Sequence, residues 1–428
     1  MIGSEIHEFA KLLWPINRSI TGKGVRTTLD QIKKHLPNLE IKSVSSGTEV
    51  FDWNVPNEWN VNDAFIVTPN GEKICKFTDN DLHLLGYSVP FKGRMSLAQL
   101  KDHLYTLPDQ PNAIPYITSY YKERWGFCLT HEQLESLIEG EYEVYIDTEL
   151  FPGELNYGEL LIKGKSDKEI FLSTYICHPS MANNELSGPT VVTFLAKWLA
   201  EQEKPRYSYR IIFIPETIGS ITYLSFNYKQ MKERVVAGFN VTCVGDDRSY
   251  SYVPSRDGDT ISDQIALHVL KWTDANFVKY TWFDRGSDER QYCAPGIDLP
   301  IASIIRTKYG KYPEYHTSLD DLETVVTPSG LDGGYWAIRR AIEALERNKN
   351  YRVSVLGEPQ MGKRGLYLTL STKKSKSGKE IKLMMDFISL CDGRTSLLKI
   401  AEKLDVPIWD LYDLCDKLEE HRLLEFNE

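Results

Sequence analysis

Several patterns that mark common classes of protein are missing from this chain of 428 residues. No Gly-x-Gly-x-x-Gly or Gly-x-x-x-x-Gly-Lys-Ser/Thr run follows a predicted strand, so a nucleotide-binding loop has no support. No Gly-x-Ser-x-Gly elbow is present, which weakens a serine hydrolase interpretation. No apolar run approaches the roughly 20 residues that span a bilayer. The first residues also lack the basic start and apolar core of a signal peptide. We therefore expect a cytoplasmic protein without a membrane segment.

Cysteine is scarce, and negative charge exceeds positive charge. The 7 cysteines are odd in number, widely spread and without a Cys-x-x-Cys pair, which favours reduced thiols in the cytoplasm. A formal net charge of -10 disfavours a general nucleic-acid or anionic-membrane binder. A hydrophobic content of 42% and an aromatic content of 11% support globular folding. The length exceeds one ordinary hydrophobic core, so we expect two or three domains.

Polar side chains follow several predicted strands at the point where each strand ends. His178 comes directly after the apolar run 169–176, and Glu216 follows the strand-like run 208–214. Asp246 follows a third such run, and His316 lies a short distance beyond a fourth. The carboxyl ends of parallel strands meet at one edge of a sheet, where ligand sites assemble. Zinc binds imidazole nitrogen and carboxylate oxygen, and catalytic zinc sites keep one position open. The pattern therefore favours a hydrolytic metal site, although each residue alone is also typical of a structural histidine or a helix cap.

Five motifs of this chain resemble a known group of proteins. The motifs are His-Pro-Ser, Asn-Asn-Glu-Leu-Ser-Gly, Pro-Glu-Thr-Ile-Gly-Ser, Gly-Ser-Asp-Glu-Arg-Gln-Tyr and Tyr-His-Thr-Ser-Leu-Asp. They resemble the bacterial aminopeptidase-like proteins that are labelled as domains of unknown function, a group similar to zinc-dependent aminopeptidases of the M28 type. Members often accompany genes for surface polysaccharide or secondary-metabolite biosynthesis. The resemblance covers nearly the whole chain, and its motifs are more specific for the family than for a reaction.

The resemblance implies a role for each matching residue. His178 and His316 match metal-binding histidines, and Glu216 matches the general base. Asp246 is the plausible third metal ligand, because it follows the third strand of the pattern. The residues expected near the substrate or behind the ligands are Asn184, Asp247, Asp288, Arg290 and Tyr315.

Three positions depart from the M28 pattern. Asn184 replaces the aspartate that bridges two metal ions, and Thr217 replaces the second glutamate of a Glu-Glu pair. A strand that usually supplies an aspartate reads Asn-Val-Thr at 240–242. Neutral groups between two cations leave their repulsion uncompensated. We therefore expect one zinc ion held by His178, Asp246 and His316, or no metal at all.

The chain divides into three predicted parts. Residues 1–46 and 151–350 form an α/β core with a mostly parallel, doubly wound sheet, since several predicted strands are apolar on both faces. Residues 47–150 interrupt this pattern and form an inserted β-rich subdomain, which is a candidate lid over the substrate. Residues 353–428 form a winged-helix-like C-terminal domain. The predicted core strands are Glu159–Lys163, Ile170–Ile176, Arg210–Pro215, Ala237–Val244 and Pro300–Ile305, and the core helices are Val191–Glu203, Ile221–Glu233, Thr260–Ala275 and Ser329–Arg347.

A winged helix raises the rival hypothesis of a DNA-binding regulator. Its third helix would enter the major groove, yet five acidic residues there oppose one lysine and would face phosphates. These are Asp410, Asp413, Asp416, Glu419 and Glu420 against Lys417. We therefore expect no nucleic-acid partner and favour a protein-interaction or oligomerising module. The short basic run 373–379 is predicted to be a solvated loop.

Two functions remain open from the sequence. The first is a metal-dependent, aminopeptidase-like amidohydrolase that acts on a small peptide or an aminoacylated biosynthetic intermediate. The second is a catalytically degenerate binding or scaffold protein with the same pocket. It is favoured by Asn184 and Thr217, which replace carboxylates of the M28 pattern. Either is compatible with a homo-oligomer.

Overall fold

The computed structural model of the chain describes residues 1–366 and 376–427. Its α-helices are α1 (Ile2–Leu13), α2 (Lys23–His35), α3 (Leu97–Leu100), α4 (His131–Glu135), α5 (Ser187–Ala200), α6 (Ile218–Arg234), α7 (Ile261–Thr273), α8 (Glu289–Tyr292), α9 (Pro328–Arg347), α10 (Lys376–Leu390), α11 (Leu397–Leu404) and α12 (Tyr412–Glu420). Its strands are β1 (Glu40–Ser45), β2 (Glu49–Val50), β3 (Trp53–Asn54), β4 (Glu58–Val67), β5 (Lys73–Ile74), β6 (Phe91–Ser96), β7 (Leu104–Tyr105), β8 (Phe127–Cys128), β9 (Glu141–Phe151), β10 (Glu154–Ile162), β11 (Glu169–Tyr175), β12 (Ser208–Ile214), β13 (Val235–Asn240), β14 (Ser251–Val253), β15 (Val278–Lys279), β16 (Ile301–Ile305), β17 (Asn350–Val353), β18 (Asp392–Ser396) and β19 (Leu424–Asn427).

The centre of the fold is an eight-stranded mixed sheet in the order β1-β10-β12-β11-β13-β16-β14-β15. Strands β12, β11, β13 and β16 are parallel neighbours, so their carboxyl ends lie at one edge. All residues of β11 are buried, as expected for a central strand covered on both faces. The predicted α/β class is therefore confirmed.

The structure adds strands that the sequence pattern did not predict. The five predicted core strands correspond to β10, β11, β12, β13 and β16, and the four predicted helices to α5, α6, α7 and α9. Strand β1, which pairs antiparallel with β10, was not predicted. Its residues are all exposed or half-buried, so its sequence lacks the apolar alternation that indicates a strand. Short β14 and β15 extend the opposite side of the sheet.

Helix α5 lies very close to the sheet at its first turn. A Cβ atom at Gly188 would lie 2.6 Å from the carbonyl oxygen of Val241 and would also collide with the Thr174 hydroxyl. Only glycine leaves room for this approach. The Ser-Gly pair of the sequence motif therefore brings the start of α5 against the edge of the sheet where the strands end.

A four-stranded antiparallel sheet, β5-β4-β9-β6, lies within the predicted insert. Strands β4 and β9 pair along most of their length, from Glu58 opposite Phe151 to Val67 opposite Glu143. A turn that includes Pro69-Asn70-Gly71 connects β4 to β5, and Gly71 adopts the left-handed φ of 82°. The limits of residues 47 and 150 for the insert stay a prediction.

The chain forms two compact units. The first comprises Met1–Asp263 and Asn276–Trp336, and the second comprises Gln264–Ala275 and Ala337–Glu428. The second unit contains the β18-β17-β19 sheet together with α10, α11 and α12, which is the winged-helix arrangement. Of the basic run 373–379, residues 373–375 lie outside the described residues, and residues 376–379 belong to the start of α10. In the two described ranges, every helix is too short or too polar to cross a bilayer.

Arg210 connects the strands β10, β11 and β12 through buried ion pairs. Its Nε donates to Glu169 over 2.6 Å and its Nη1 donates to Glu159 over 2.8 Å. All three side chains are at most 5% exposed. Removing one partner of such a buried network leaves uncompensated charge in the core.

We expect Arg210→Leu to lower the free energy of unfolding of the first unit by about 3–5 kcal/mol, because two buried carboxylates lose their buried cationic partner and keep only half-exposed ones, Lys42 and Arg234. Chemical denaturation followed by tryptophan fluorescence measures this change. The matched control is Lys232→Leu, whose pair with Asp298 is solvent-exposed at 3.8 Å and contributes about 0–1 kcal/mol. Equal losses of stability in the two variants would show that the buried ion pairs of Arg210 contribute no more than an exposed pair.

Candidate metal centre

His178 follows β11 and lies buried at the carboxyl edge of the sheet. Its Nδ1 is 3.0 Å from Oε2 of Glu185, and its Nε2 is 3.6 Å from Oε2 of Glu216. When Glu185 is ionised, as a cation beside the site favours, its carboxylate only accepts hydrogen bonds, so Nδ1 carries the proton and the Nε2 lone pair points toward Glu216. This is how metal-binding histidines are commonly oriented, with a carboxylate behind the ring.

Glu185 was not among the residues predicted from the sequence. It lies in a π-helical turn, Ala182–Leu186, whose residues are all buried. Such turns often occur at functional sites. The sequence offered one hint, because Glu185 stands in the polar motif that follows His178. A buried glutamate usually has a partner, and the partner of Glu185 comes from a distant segment.

Arg18 is that partner. Its side chain is fully buried, and its Nε lies 3.4 Å from Oε1 of Glu185. The same Nε donates to the carbonyl oxygen of His178 over 3.0 Å, and Nη1 donates to that of Leu13. Arg18 therefore compensates the charge of Glu185 and fixes the loop that carries His178.

Asp320 holds the π-helical turn in place. Its carboxylate accepts hydrogen bonds from the backbone N–H groups of Asn183 at 2.7 Å and Asn184 at 2.9 Å. Tyr312 donates a third bond to the same carboxylate. Asp320 lies only a few residues beyond His316, so the loops of the two predicted metal-binding histidines are connected through one side chain.

His316 faces His178 across the site. The two imidazole rings are 5.5 Å apart between centroids, and the Tyr315 ring stacks on His316 at 3.9 Å. Within the described part of the chain, Nε2 of His316 is buried and has no hydrogen-bond partner. A buried polar atom without a partner is costly. Its lone pair is therefore available for a ligand.

Strained backbone surrounds this edge of the sheet. Ser180, Thr217, Cys243 and His316 all have positive φ, between 45° and 61°. These four residues follow β11, β12, β13 and β16 respectively. A positive φ is a genuine outlier for a β-branched residue such as Thr217. Such strain concentrates at functional sites, where it fixes the direction of neighbouring side chains.

Glu216 occupies the position after β12, and its side chain is 21% exposed, so it borders open space. Behind it, Asp288 accepts hydrogen bonds from the backbone N–H of Thr217 and the hydroxyl of Ser220, both at 2.8 Å. Arg290 donates to the Thr217 hydroxyl over 2.7 Å. Asp288 and Arg290 thus fix Thr217, the residue with positive φ next to Glu216.

Burial shifts the ionisation of these groups strongly. It lowers the pKa of His178 and of His316 to about 3, and it raises the pKa of Glu185 to about 8. Burial and the nearby Asp288 also raise the pKa of Glu216. Both imidazoles are therefore neutral at physiological pH, which is the form that binds metal. The carboxyl groups would be ionised more readily with a cation beside them.

The predicted ligand set of His178, Asp246 and His316 stays a prediction. Among described His, Cys, Asp and Glu residues, the group whose ligand atoms all lie within 4.8 Å of one another is Cys177, His178 and Glu185. Both oxygens of Asp246 accept hydrogen bonds, from Thr307, Asn183 and Arg248. Asp246 therefore connects the loop after β13 to the loop after β16 and to the π-helical turn.

The other predicted residues occupy distinct places. Asp247 bonds to the Thr327 hydroxyl. Asn184 accepts a hydrogen bond from the Tyr175 hydroxyl at 3.0 Å, and the same hydroxyl contacts Thr242. Asn184, Thr217 and Thr242 stand at the three positions where the M28 pattern has carboxylates. Two of them, Asn184 and Thr242, are joined through the Tyr175 hydroxyl in a network without charge.

The residues present fit one zinc ion better than two. Two ligands of a tetrahedral zinc are about 3.4 Å apart, given bonds of about 2.0–2.1 Å. The 3.6 Å between His178 Nε2 and Glu216 Oε2 matches this spacing. The unpartnered Nε2 of His316 supplies a second imidazole. Cys177 is less suited, because burial raises the pKa of its thiol well above the usual value, and zinc binds thiolate.

Comparison with solved structures identifies the class of the fold. A zinc aminopeptidase from Bacillus subtilis superposes with a TM-score of 0.59 at 14% identity, over 88% of this chain and 97% of that one. A peptidase M28 precursor from Shewanella amazonensis gives 0.57 at 13% identity, over 80% and 92%. The first part of the chain therefore has the fold of the zinc aminopeptidases, which at this identity concerns the fold alone.

The family is shown by sequence. The chain belongs to the family described as a domain of unknown function, DUF4910, whose model matches residues 7–348. A winged helix-turn-helix model matches residues 349–426. A Clostridium acetobutylicum protein, named for polysaccharide biosynthesis and an aminopeptidase-like domain, is 44% identical over 99% of this chain and 96% of its own length. A crystal structure from the same organism, named as a peptidase, gives a TM-score of 0.93 at 43% identity, over 100% and 97%.

We expect Glu185→Gln to weaken zinc binding about 10–100-fold, because the carboxylate that orients His178 is lost. Titration calorimetry of metal-free protein with zinc measures the affinity. Glu201→Gln, at an exposed position after the end of α5, is the matched control and should bind zinc as wild type does. An unchanged affinity in Glu185→Gln would show that Glu185 does not orient a ligand.

Proposed function

We propose that this protein is a metal-dependent amidohydrolase with a single ion, acting on a small peptide or an aminoacylated biosynthetic intermediate. One observation carries the proposal: His178 is buried, His316 is half-buried with a buried Nε2, and these two neutral imidazoles face one another beside Glu216. The aminopeptidase fold supports the reaction class.

The proposed ligands are His178 Nε2, His316 Nε2 and one carboxylate oxygen of Glu216. When bound there, a zinc ion supplies Lewis acidity, which polarises the carbonyl group of an amide. A carboxylate has two oxygens with several lone pairs. The second oxygen of Glu216 accepts the proton of the attacking water and passes it to the leaving amine.

The neighbouring residues keep these groups in position. Glu185 orients His178, Arg18 balances the charge of Glu185, and Asp288 fixes the backbone beside Glu216. With Asn184 and Thr217 in place of carboxylates, the protein offers too little negative charge for a second ion. The proposal therefore differs from a two-metal reaction.

The proposed substrate class follows from the fold and the named relative. A relative named for polysaccharide biosynthesis favours an aminoacylated intermediate of such a pathway over dietary or structural peptides. All seven cysteines are buried free thiols, which supports a reducing, cytoplasmic setting. We propose no nucleic-acid partner and no membrane partner, and we propose that the winged-helix unit serves protein contacts or self-association.

The second candidate function is a non-catalytic binding protein that retains this pocket. It is favoured by the neutral network of Tyr175, Asn184 and Thr242, which shows hydroxyl and amide groups where M28 enzymes were expected to carry carboxylates. A measurement of hydrolysis distinguishes the two candidate functions, because only the amidohydrolase turns over substrate.

We expect Glu216→Gln to lower turnover of aminoacyl amides at least about 10²–10⁴-fold at saturating zinc, because the proton acceptor is lost. Release of amine from a panel of aminoacyl p-nitroanilides, measured by absorbance, gives the rate. The matched control is Glu233→Gln on the exposed side of α6, which should react as wild type. Turnover at the wild-type rate in Glu216→Gln would remove Glu216 from the mechanism. Zinc-loaded wild type that hydrolyses nothing would favour the binding protein.

A further inference from the structure

A segment of the inserted region pairs directly with the loop that carries His316. The N–H of Tyr116 donates to the carbonyl oxygen of His316 over 2.8 Å, and the N–H of Ser318 donates to that of Ile114 over 2.9 Å. Pro115 and Thr317 form the bridge between them. We call residues 110–118 the strap. Its contacts with residues 313–318 resemble a short antiparallel strand pair.

Side chains add to this pairing. The Ser318 hydroxyl oxygen accepts a hydrogen bond from the N–H of Ile114 at 3.0 Å, and Gln110 donates to the carbonyl oxygen of Pro313 at 2.8 Å. Backbone pairing of this kind satisfies polar groups on both segments, so breaking it would be costly. The strap is therefore held against the loop of His316 by hydrogen bonds along its length.

The strap places Tyr116 against both predicted metal-binding histidines. Its ring lies edge-on to His178 at 5.2 Å and to His316 at 5.3 Å between centroids. The residue is half-buried, and it also lines a narrow cavity with Arg18 and Tyr87. No hydrogen bond from its hydroxyl group is found to any residue in the two described ranges. The phenol is thus held in place by its ring and backbone while its hydroxyl remains available.

The chemistry of that hydroxyl suits a donor. A tyrosine phenol keeps its proton at neutral pH and can act as a hydrogen-bond donor. A protonated phenol beside carboxylates can donate to an oxygen that gains negative charge. The oxygen that gains charge when an amide is attacked is that of its carbonyl group.

We propose that Tyr116, supplied by the inserted subdomain, contacts the substrate and donates a hydrogen bond to the carbonyl oxygen of the scissile amide. This inference rests on the proposed function. It gives the insert a chemical role in the site, because the core fold alone would leave this side of the two imidazoles open.

The test compares Tyr116→Phe with wild type in two binding measurements. Zinc affinity is measured by calorimetry on metal-free protein. Affinity for the phosphonic acid analogue of leucine, a tetrahedral oxyanion mimic, is then measured on zinc-loaded protein. The ring is retained in Tyr116→Phe, so zinc affinity should stay unchanged. Affinity for the phosphonate should fall about 10–100-fold, because a hydrogen bond to a charged oxygen is lost.

Kinetics supplies a second readout. For an aminoacyl p-nitroanilide that wild type hydrolyses, kcat should fall about 10²–10³-fold in Tyr116→Phe, with little change in KM. Tyr120→Phe is the matched control on the neighbouring turn, and it should behave as wild type in all three measurements. A purely structural role for Tyr116 would change zinc affinity and phosphonate affinity together.

The failures are distinguishable. If wild type binds zinc and the phosphonate, and Tyr116→Phe binds both equally well, this inference is overturned and the proposed function stands. If wild type binds neither zinc nor the phosphonate, the proposed function and this inference are both overturned.

Discussion

The hydrogen bond between His178 and Glu185 is the contact on which the proposed site depends. It gives the imidazole one orientation and directs Nε2 toward Glu216. The bond exists only because Arg18 offsets the buried charge of Glu185 and because Asp320 anchors the π-helical turn. Four segments that are distant in sequence therefore meet to orient one ring, and the loops around them carry the corresponding strain.

Charge explains why a single cation is the natural complement of this cluster. The two imidazoles are neutral because burial lowers their pKa, and the carboxyl groups of Glu185 and Glu216 are held partly protonated for the same reason. An ion between His178, His316 and Glu216 would offset the desolvation of those groups. The neutral side chains of Asn184 and Thr217 provide no such complement for a second ion.

The sequence predicted the parts of the fold that depend on local apolar patterns, and failed where long-range contacts decide. Strands β11 and β12 are rich in apolar residues, so their ends and the residues after them could be located. Strand β1 is polar because it lies at the sheet edge, and it could not. The position of Asp246 after a strand could be read from the sequence, but its hydrogen bonds to Asn183 and Thr307 could not, because those residues belong to other loops. Glu185 was missed because its partner Arg18 comes from the N-terminal segment. Tyr116 was missed because it lies in an irregular insert, far in sequence from the two histidines that its ring contacts.

The most direct test of the account is the zinc content, by mass spectrometry, of protein reconstituted with excess zinc and desalted. Wild type, His178→Ala, His316→Ala and Asp246→Asn should be compared. The account predicts about one zinc per chain in wild type and in Asp246→Asn, and a loss of zinc in both histidine variants. Two ions per chain, no zinc, or a loss in Asp246→Asn with retention in His316→Ala would contradict it.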